Sequence, residues 1–126
     1  MRRRLALLAL AAAGLAALVV PALAAAHPLG NFTVNRYSRV EPAGNRVYVL
    51  YVLDLAEIPT FQARERAEAD PAAYGAGLVD AVVQGLDLRV DGGRRPLEEI
   101  DRSLTFPEGQ GGLRTTRLEA VLDAAA

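Results

Sequence analysis

The first 26 residues constrain everything after them, because a stretch of this kind does not belong to the core of a folded domain. Met1-Arg2-Arg3-Arg4 is a compact basic start, and no charged or polar side chain occurs from Leu5 to Val20. Pro21-Ala22-Leu23-Ala24-Ala25-Ala26 then completes the order of basic n-region, apolar h-region and small-residue cleavage site of a secretory signal. Ala24 and Ala26 satisfy the A-x-A requirement, which predicts a cut between Ala26 and His27; a cut after Ala24 is also permitted. The competing reading is an uncleaved anchor, since Leu5 to Ala26 is long enough to span a bilayer. Its alanine richness and Pro21 weigh against that. The Arg run admits a twin-arginine export route, but the other features of that motif are missing. With no cysteine in the chain, a lipoprotein is excluded. The expected organisation is a signal peptide over 1–26 and one exported domain over 27–126, on the periplasmic or extracytoplasmic side of the cell membrane.

The apolar fraction of 52% and the mean hydropathy of +0.15 owe much to the signal-like segment. From His27 onward, 11 Arg stand against 15 Asp plus Glu, a mildly acidic balance that argues against a nucleic-acid partner. All 14 basic residues are Arg, which fits genomic base composition and carries no functional weight. Without cysteine, neither a disulfide framework nor a thiolate metal site is available, so about 100 residues must be held by an apolar core.

Along the exported part, Phe32-Thr33-Val34-Asn35 alternates apolar and polar as a half-buried strand does, and the phase then shifts near Arg36-Tyr37, where a bulge is expected. Glu41 to Asn45 has the residues of a reversing loop. Arg46 to Leu55 (RVYVLYVLDL) is the strongest strand signal, apolar on both faces, and is expected to lie centrally with both sides covered. Pro59 suits the first turn of a helix continuing over Thr60 to Ala69, with Phe61 as its apolar anchor. Asp70-Pro71 marks a second helix, Asp as N-cap and Pro at N1, with Tyr74, Leu78 and Val82 spaced four apart and Gly85 at its end. Leu86 to Val90 alternates ahead of an Asp91-Gly92-Gly93 turn. Leu97 to Phe106 is a weaker strand, Pro107 to Gly112 a loop, and Leu113 to Leu122 alternates again. Strands, a helical excursion and more strands predict an α+β fold, an antiparallel β-sheet or β-sandwich with an inserted helical pair. A strand so close to Ala126 suggests a product truncated before a further region.

Three residues carry candidate chemistry. After the expected cleavage His27 becomes the first residue, so its α-amine and imidazole can chelate one ion, and Ni²⁺ or Cu²⁺ suits such nitrogen ligands. Pro28 has no amide N–H, so further ligands must come from carboxylates or a partner domain. Asp54 and Glu57 follow the central strand, where a carboxylate can be aimed at a cleft or a metal. The plainer readings are a frayed terminus for His27, a polar strand exit for Asp54, and favourable placement near a helix N-terminus for Glu57. No pattern of a nucleophile, a second histidine or a phosphate loop suggests an enzyme. Asn31-Phe32-Thr33 fits the glycosylation triplet, a pattern common by chance.

The stretch His27-Pro28-Leu29-Gly30-Asn31-Phe32-Thr33-Val34-Asn35-Arg36-Tyr37, followed by Tyr51-Val52-Leu53-Asp54-Leu55-Ala56-Glu57-Ile58-Pro59-Thr60-Phe61-Gln62, resembles the exported N-terminal domain of bacterial high-affinity nickel/cobalt transporters. In that family an HPLGNF-type segment follows the signal peptide, a strand ends in a D-x-A-E-I-P-like segment, and a polytopic permease comes later. The resemblance implies an extracytoplasmic accessory domain for nickel or cobalt, its partner the membrane permease core of the same or a neighbouring polypeptide. No apolar span follows the signal here, so the His- and Asp-bearing membrane helix of such permeases is not in this sequence, and the chain is not expected to transport by itself. The alternative is a free-standing exported β-rich protein that binds a metal or a partner.

Overall fold

A computed structural model describes residues 31–126; the signal-like segment, the expected cleavage site and His27 lie outside the described residues. The first elements of the described residues are a hairpin of β1 (Val34–Ala43) and β2 (Arg46–Leu55). Gly44, at φ 62°, opens the two-residue turn with Asn45, and a positive φ there is what tight hairpin turns require. The turn is thus shorter than the loop expected over Glu41 to Asn45. Pro42 continues β1, which is tolerable because β1 is an edge strand and a missing N–H is cheap on its solvent side. The bulge expected near Arg36-Tyr37 is absent: β1 pairs with β2 in unbroken register from Val34–Leu55 to Ala43–Arg46. Its apolar phase shifts because no face of this exposed strand is committed to the core.

Two helices follow, α1 (Glu57–Ala69) and α2 (Pro71–Gly85), then a ribbon of β3 (Leu88–Val90) and β4 (Gly93–Arg95). The chain returns through β5 (Glu98–Thr105) and β6 (Thr116–Ala125). The main sheet is antiparallel in the order β1-β2-β6-β5, so the fold is α+β, one four-stranded sheet with helices and a small separate ribbon rather than a sandwich. β2 is interior, as its composition predicts, but only one of its faces is roofed. Val49, Tyr51 and Leu53 of β2 and Leu118, Ala120 and Leu122 of β6 pack on that face against Val79 and Val82 of α2. Thr60 of α1 meets Thr116 on the same face of β6. On the opposite face Asp54, Arg117 and Glu119 reach solvent.

The helix boundaries follow their caps. The Asp70 carboxylate accepts the Ala73 N–H at 2.9 Å, and Pro71 occupies the first helical position without wasting a donor. The buried stripe of α2 is Gly75, Val79 and Val82, one position round from the Tyr74-Leu78-Val82 stripe read from spacing; Leu78 is partly buried beside it. Helix α1 starts at Glu57, two residues ahead of Pro59, which lies within its first turn as expected. Its buried residues are Glu57, Thr60, Ala63 and Ala67, small or polar groups at three- and four-residue spacing. Phe61 is not the anchor expected. It is 47% exposed, with the Arg64 guanidinium 4.1 Å above its ring.

Candidate functional site

The site grows from the place where β2 leaves the sheet and α1 begins. The backbone leading into β1 docks onto that junction: Ala56 N–H donates to the Thr33 carbonyl at 3.0 Å and Ile58 N–H to the Asn31 carbonyl at 3.1 Å. Asn31 makes a local turn in which its side-chain carbonyl accepts the Thr33 N–H at 2.9 Å and the Thr33 hydroxyl.

Glu57 holds the junction together. One carboxylate oxygen accepts the Gln110 N–H at 2.9 Å and the other accepts the Asn31 N–H at 3.2 Å. Three segments far apart in sequence therefore meet on one carboxylate. The Gln110 N–H, then its own backbone N–H, lower its pKa; burial opposes them and the Asn31 N–H adds to them, leaving the carboxyl below its ordinary range. Its place in the first turn of α1 also suits a negative charge. Gly109 shows how tightly the Pro107–Thr115 loop sits: a Cβ there would lie 2.6 Å from a Glu57 oxygen and 3.0 Å from the Thr115 methyl.

Asp54 lies on the unroofed face, opposite Asn35 of β1 and Arg117 of β6. Arg117 Nη1 donates to both Asp54 oxygens, at 3.0 and 3.1 Å, while its Nε donates to Glu119 at 2.8 Å. Glu119 first, and then Asp54, push the Arg117 pKa further up. These groups remain substantially exposed, so the network contributes little stability and mainly fixes side-chain direction. Asp54 and Glu57 line one shallow cleft of about 320 Å³ with Asn31, Thr33, Asn35 and Arg117.

Beneath this cleft lies a buried hydroxyl pair. Thr60 donates to the Leu55 carbonyl at 3.2 Å, and the Thr60 and Thr116 oxygens are 2.9 Å apart. Since Thr60 spends its proton on Leu55, Thr116 is the donor between them. Burial raises the pKa of the nearby Tyr74 more than the Arg66 charge and the Thr116 hydroxyl lower it.

Of the three residues singled out from sequence, the structure brings Asp54 and Glu57 to one cleft, and His27 lies outside the described residues. Among the described residues, no three His, Cys, Asp or Glu side chains converge as a metal-holding group. Each carboxylate of the pair is already engaged by donors. Sequence reasoning missed Arg117, Gln110 and Asn31 as their partners; the one local signal was the Asn-x-Thr turn, since the other contacts span 53 and 63 residues of sequence. A second cleft, about 390 Å³, lies by Phe61, Arg64, Phe106, Leu113 and Arg114. Comparison with known proteins finds no matching family model, no matching curated relative and no matching solved structure.

Proposed function

We propose that this chain is the extracytoplasmic N-terminal portion of a nickel/cobalt transport protein, accessory to metal movement through a membrane permease core in the same or a neighbouring polypeptide. The observation that carries the reading is the docking of Asn31 and Thr33 onto Ala56, Glu57 and Ile58. Those are parts of the two segments on which the resemblance rests, and their mutual hydrogen bonding supports treating them as one unit. His27 would provide its α-amine and imidazole as nitrogen ligands. Asp54 is the carboxylate on which a metal contact rests, because among the described residues Arg117 is its single side-chain donor and both groups are open to water. Glu57 would join a ligand set only by giving up the Asn31 and Gln110 N–H groups.

The test is accumulation of radioactive nickel and cobalt in the source strain after deletion of the gene, and after restoring it unchanged or with His27→Ala. Reduced accumulation on deletion, restored by the unchanged gene, is the expected result. Unchanged accumulation on deletion would sink the transport reading. The alternative, a free-standing exported β-rich metal- or partner-binding protein, draws on the continuous core that residues 31–126 form among themselves. It predicts saturable nickel binding by calorimetry without any effect on accumulation.

A further inference from the structure

The sheet has two edges, and they are built differently. β5 carries Glu98, Glu99 and Asp101 and breaks its register between Glu99 and Asp101, features that discourage another strand from pairing there. β1 carries charges of its own at Arg36, Arg39 and Glu41, and Pro42 offers no outward N–H, but it has no break in register. It runs ten residues in unbroken register, every residue is exposed, and among the described residues β2 is its single neighbour. Four of the six large apolar side chains left exposed among the described residues fall on β1 or its lead-in: Phe32, Val34, Tyr37 and Val40, at 70%, 36%, 56% and 52%. A long, regular, apolar-bearing edge is a site for strand addition.

We propose that β1 pairs antiparallel with β1 of a second copy of this chain, with Tyr37 on the two-fold axis. The hairpin turn fixes which backbone groups are free. With Ala43 and Arg46 closing a two-residue turn, the odd-numbered residues of β1 bond to β2, and Val34, Arg36, Ser38 and Val40 point their N–H and C=O groups outward. A two-fold axis normal to the sheet preserves the faces, so residues on the same face must oppose one another. Placing Tyr37 on the axis meets that condition and sets Val34 against Val40 of the second copy and Phe32 against its Pro42. The charged residues face neutral partners: Arg36 meets Ser38, Arg39 meets Asn35, and Glu41 meets Thr33.

Neighbouring registers are poorer. Ser38 on the axis sets Tyr37 against Arg39 and Arg36 against Val40; Arg39 on the axis opposes two guanidinium groups. The Tyr37 register alone among these gives each of Phe32, Val34, Tyr37 and Val40 an apolar counterpart. Val34 and Val40 share the helix-bearing face with Leu55 and Val49, and Tyr37 shares the other face with Val52. The product is a continuous eight-stranded sheet with the helices of both copies on one side. The interaction does not rest on the transport reading, since it uses neither His27 nor Asp54; Thr33 and Asn35 at the rim of the Asp54 cleft would face the second copy.

The chain has no cysteine, which makes the register directly testable by cross-linking. In a non-hydrogen-bonded antiparallel pair the Cα atoms are about 4.5 Å apart, within disulfide reach. Tyr37→Cys in the full chain, expressed from Met1 and oxidised in the exporting cell, should form a disulfide dimer at least ~10-fold faster than Ser38→Cys. Ser38 is displaced about 7 Å along the strand from its own copy in this register. Adding Val40→Lys to Tyr37→Cys should reduce cross-linking to the Ser38→Cys rate. The exposed position leaves the monomer fold intact, as a circular dichroism melt of that variant should show. Equal rates for Tyr37→Cys and Ser38→Cys, or cross-linking unaffected by Val40→Lys, would overturn the proposal.

Discussion

The Thr60–Thr116 pair offers a sharp test of how α1 is fastened to the sheet. Both residues are buried, and Thr116 is at the start of β6 beneath the candidate cleft. Thr→Val at either position keeps shape and removes one hydroxyl. Thr60→Val leaves the Thr116 hydroxyl without its partner and takes a donor from the Leu55 carbonyl, a cost of about 1–3 kcal/mol for buried groups left unpaired. Thr116→Val removes a donor to Thr60 but leaves the Thr60–Leu55 bond, a smaller cost of about 0.5–1.5 kcal/mol. In the double variant the lost partner of each is gone as well, so its destabilisation should stay close to that of Thr60→Val alone. The resulting coupling is about 1 kcal/mol. Urea unfolding measures it: with m near 1–2 kcal/mol/M for a domain of this size, the midpoint of the double variant should exceed the additive value by roughly 0.5–1 M. Additivity within about 0.3 kcal/mol would refute the shared hydrogen bond.

Leu118 is fully buried, at 0% exposure, at the centre of the core, so Leu118→Ala should cost about 2–5 kcal/mol and lower Tm by roughly 10–30 °C in calorimetry. Asp70→Ala removes the cap of α2 and should cost about 1 kcal/mol by denaturant titration, while Asp70→Asn retains most of it. The Glu57 carboxyl titrates below its ordinary value of 4.5 in the folded chain, so its contribution is present above that pH and is lost as pH falls through the lower folded value. Acid unfolding of Glu57→Gln, followed by circular dichroism, should accordingly be shallower below pH 4.5 than that of the unchanged chain. An identical acid slope in the two proteins would remove Glu57 from the acid-sensitive set.

The strand signals were legible because burial imposed a period on them. Thr116, Leu118, Ala120 and Leu122 alternate in sequence and are buried on one face of β6, and Asp70-Pro71 announced the start of α2 with two residues. α1 was harder to read. Its buried stripe contains no large apolar side chain, so the one conspicuous aromatic, Phe61, drew attention to the solvent side instead. β1 misled for a related reason: an exposed strand has no buried face to enforce a period, and its irregular pattern imitates a bulge. At the site, Asp54 and Glu57 were visible as carboxylates after a strand. Their partners were not, because a hydrogen bond from Gln110 or Arg117 depends on the path of β6 and the loop before it, which no local pattern encodes.

Those partners separate the two carboxylates. Glu57 receives backbone N–H groups, donors that cannot swing away without moving Asn31 or the Gln110 loop, so its charge is tied to the positions of three segments. Asp54 receives a side chain on a flexible stem, and Arg117 retains Glu119 as a second acceptor if it leaves. Exchange of a cation at Asp54 therefore costs one exposed ion pair of small net strength, whereas exchange at Glu57 would unpin the hairpin lead-in from the helix. The discriminating measurement is nickel titration of Asp54→Asn and Glu57→Gln beside their melting curves. Weaker binding with an unchanged Tm is expected for Asp54→Asn, and a lowered Tm for Glu57→Gln. A lowered Tm with unchanged binding in Asp54→Asn would reverse the assignment and make Asp54, too, a structural residue.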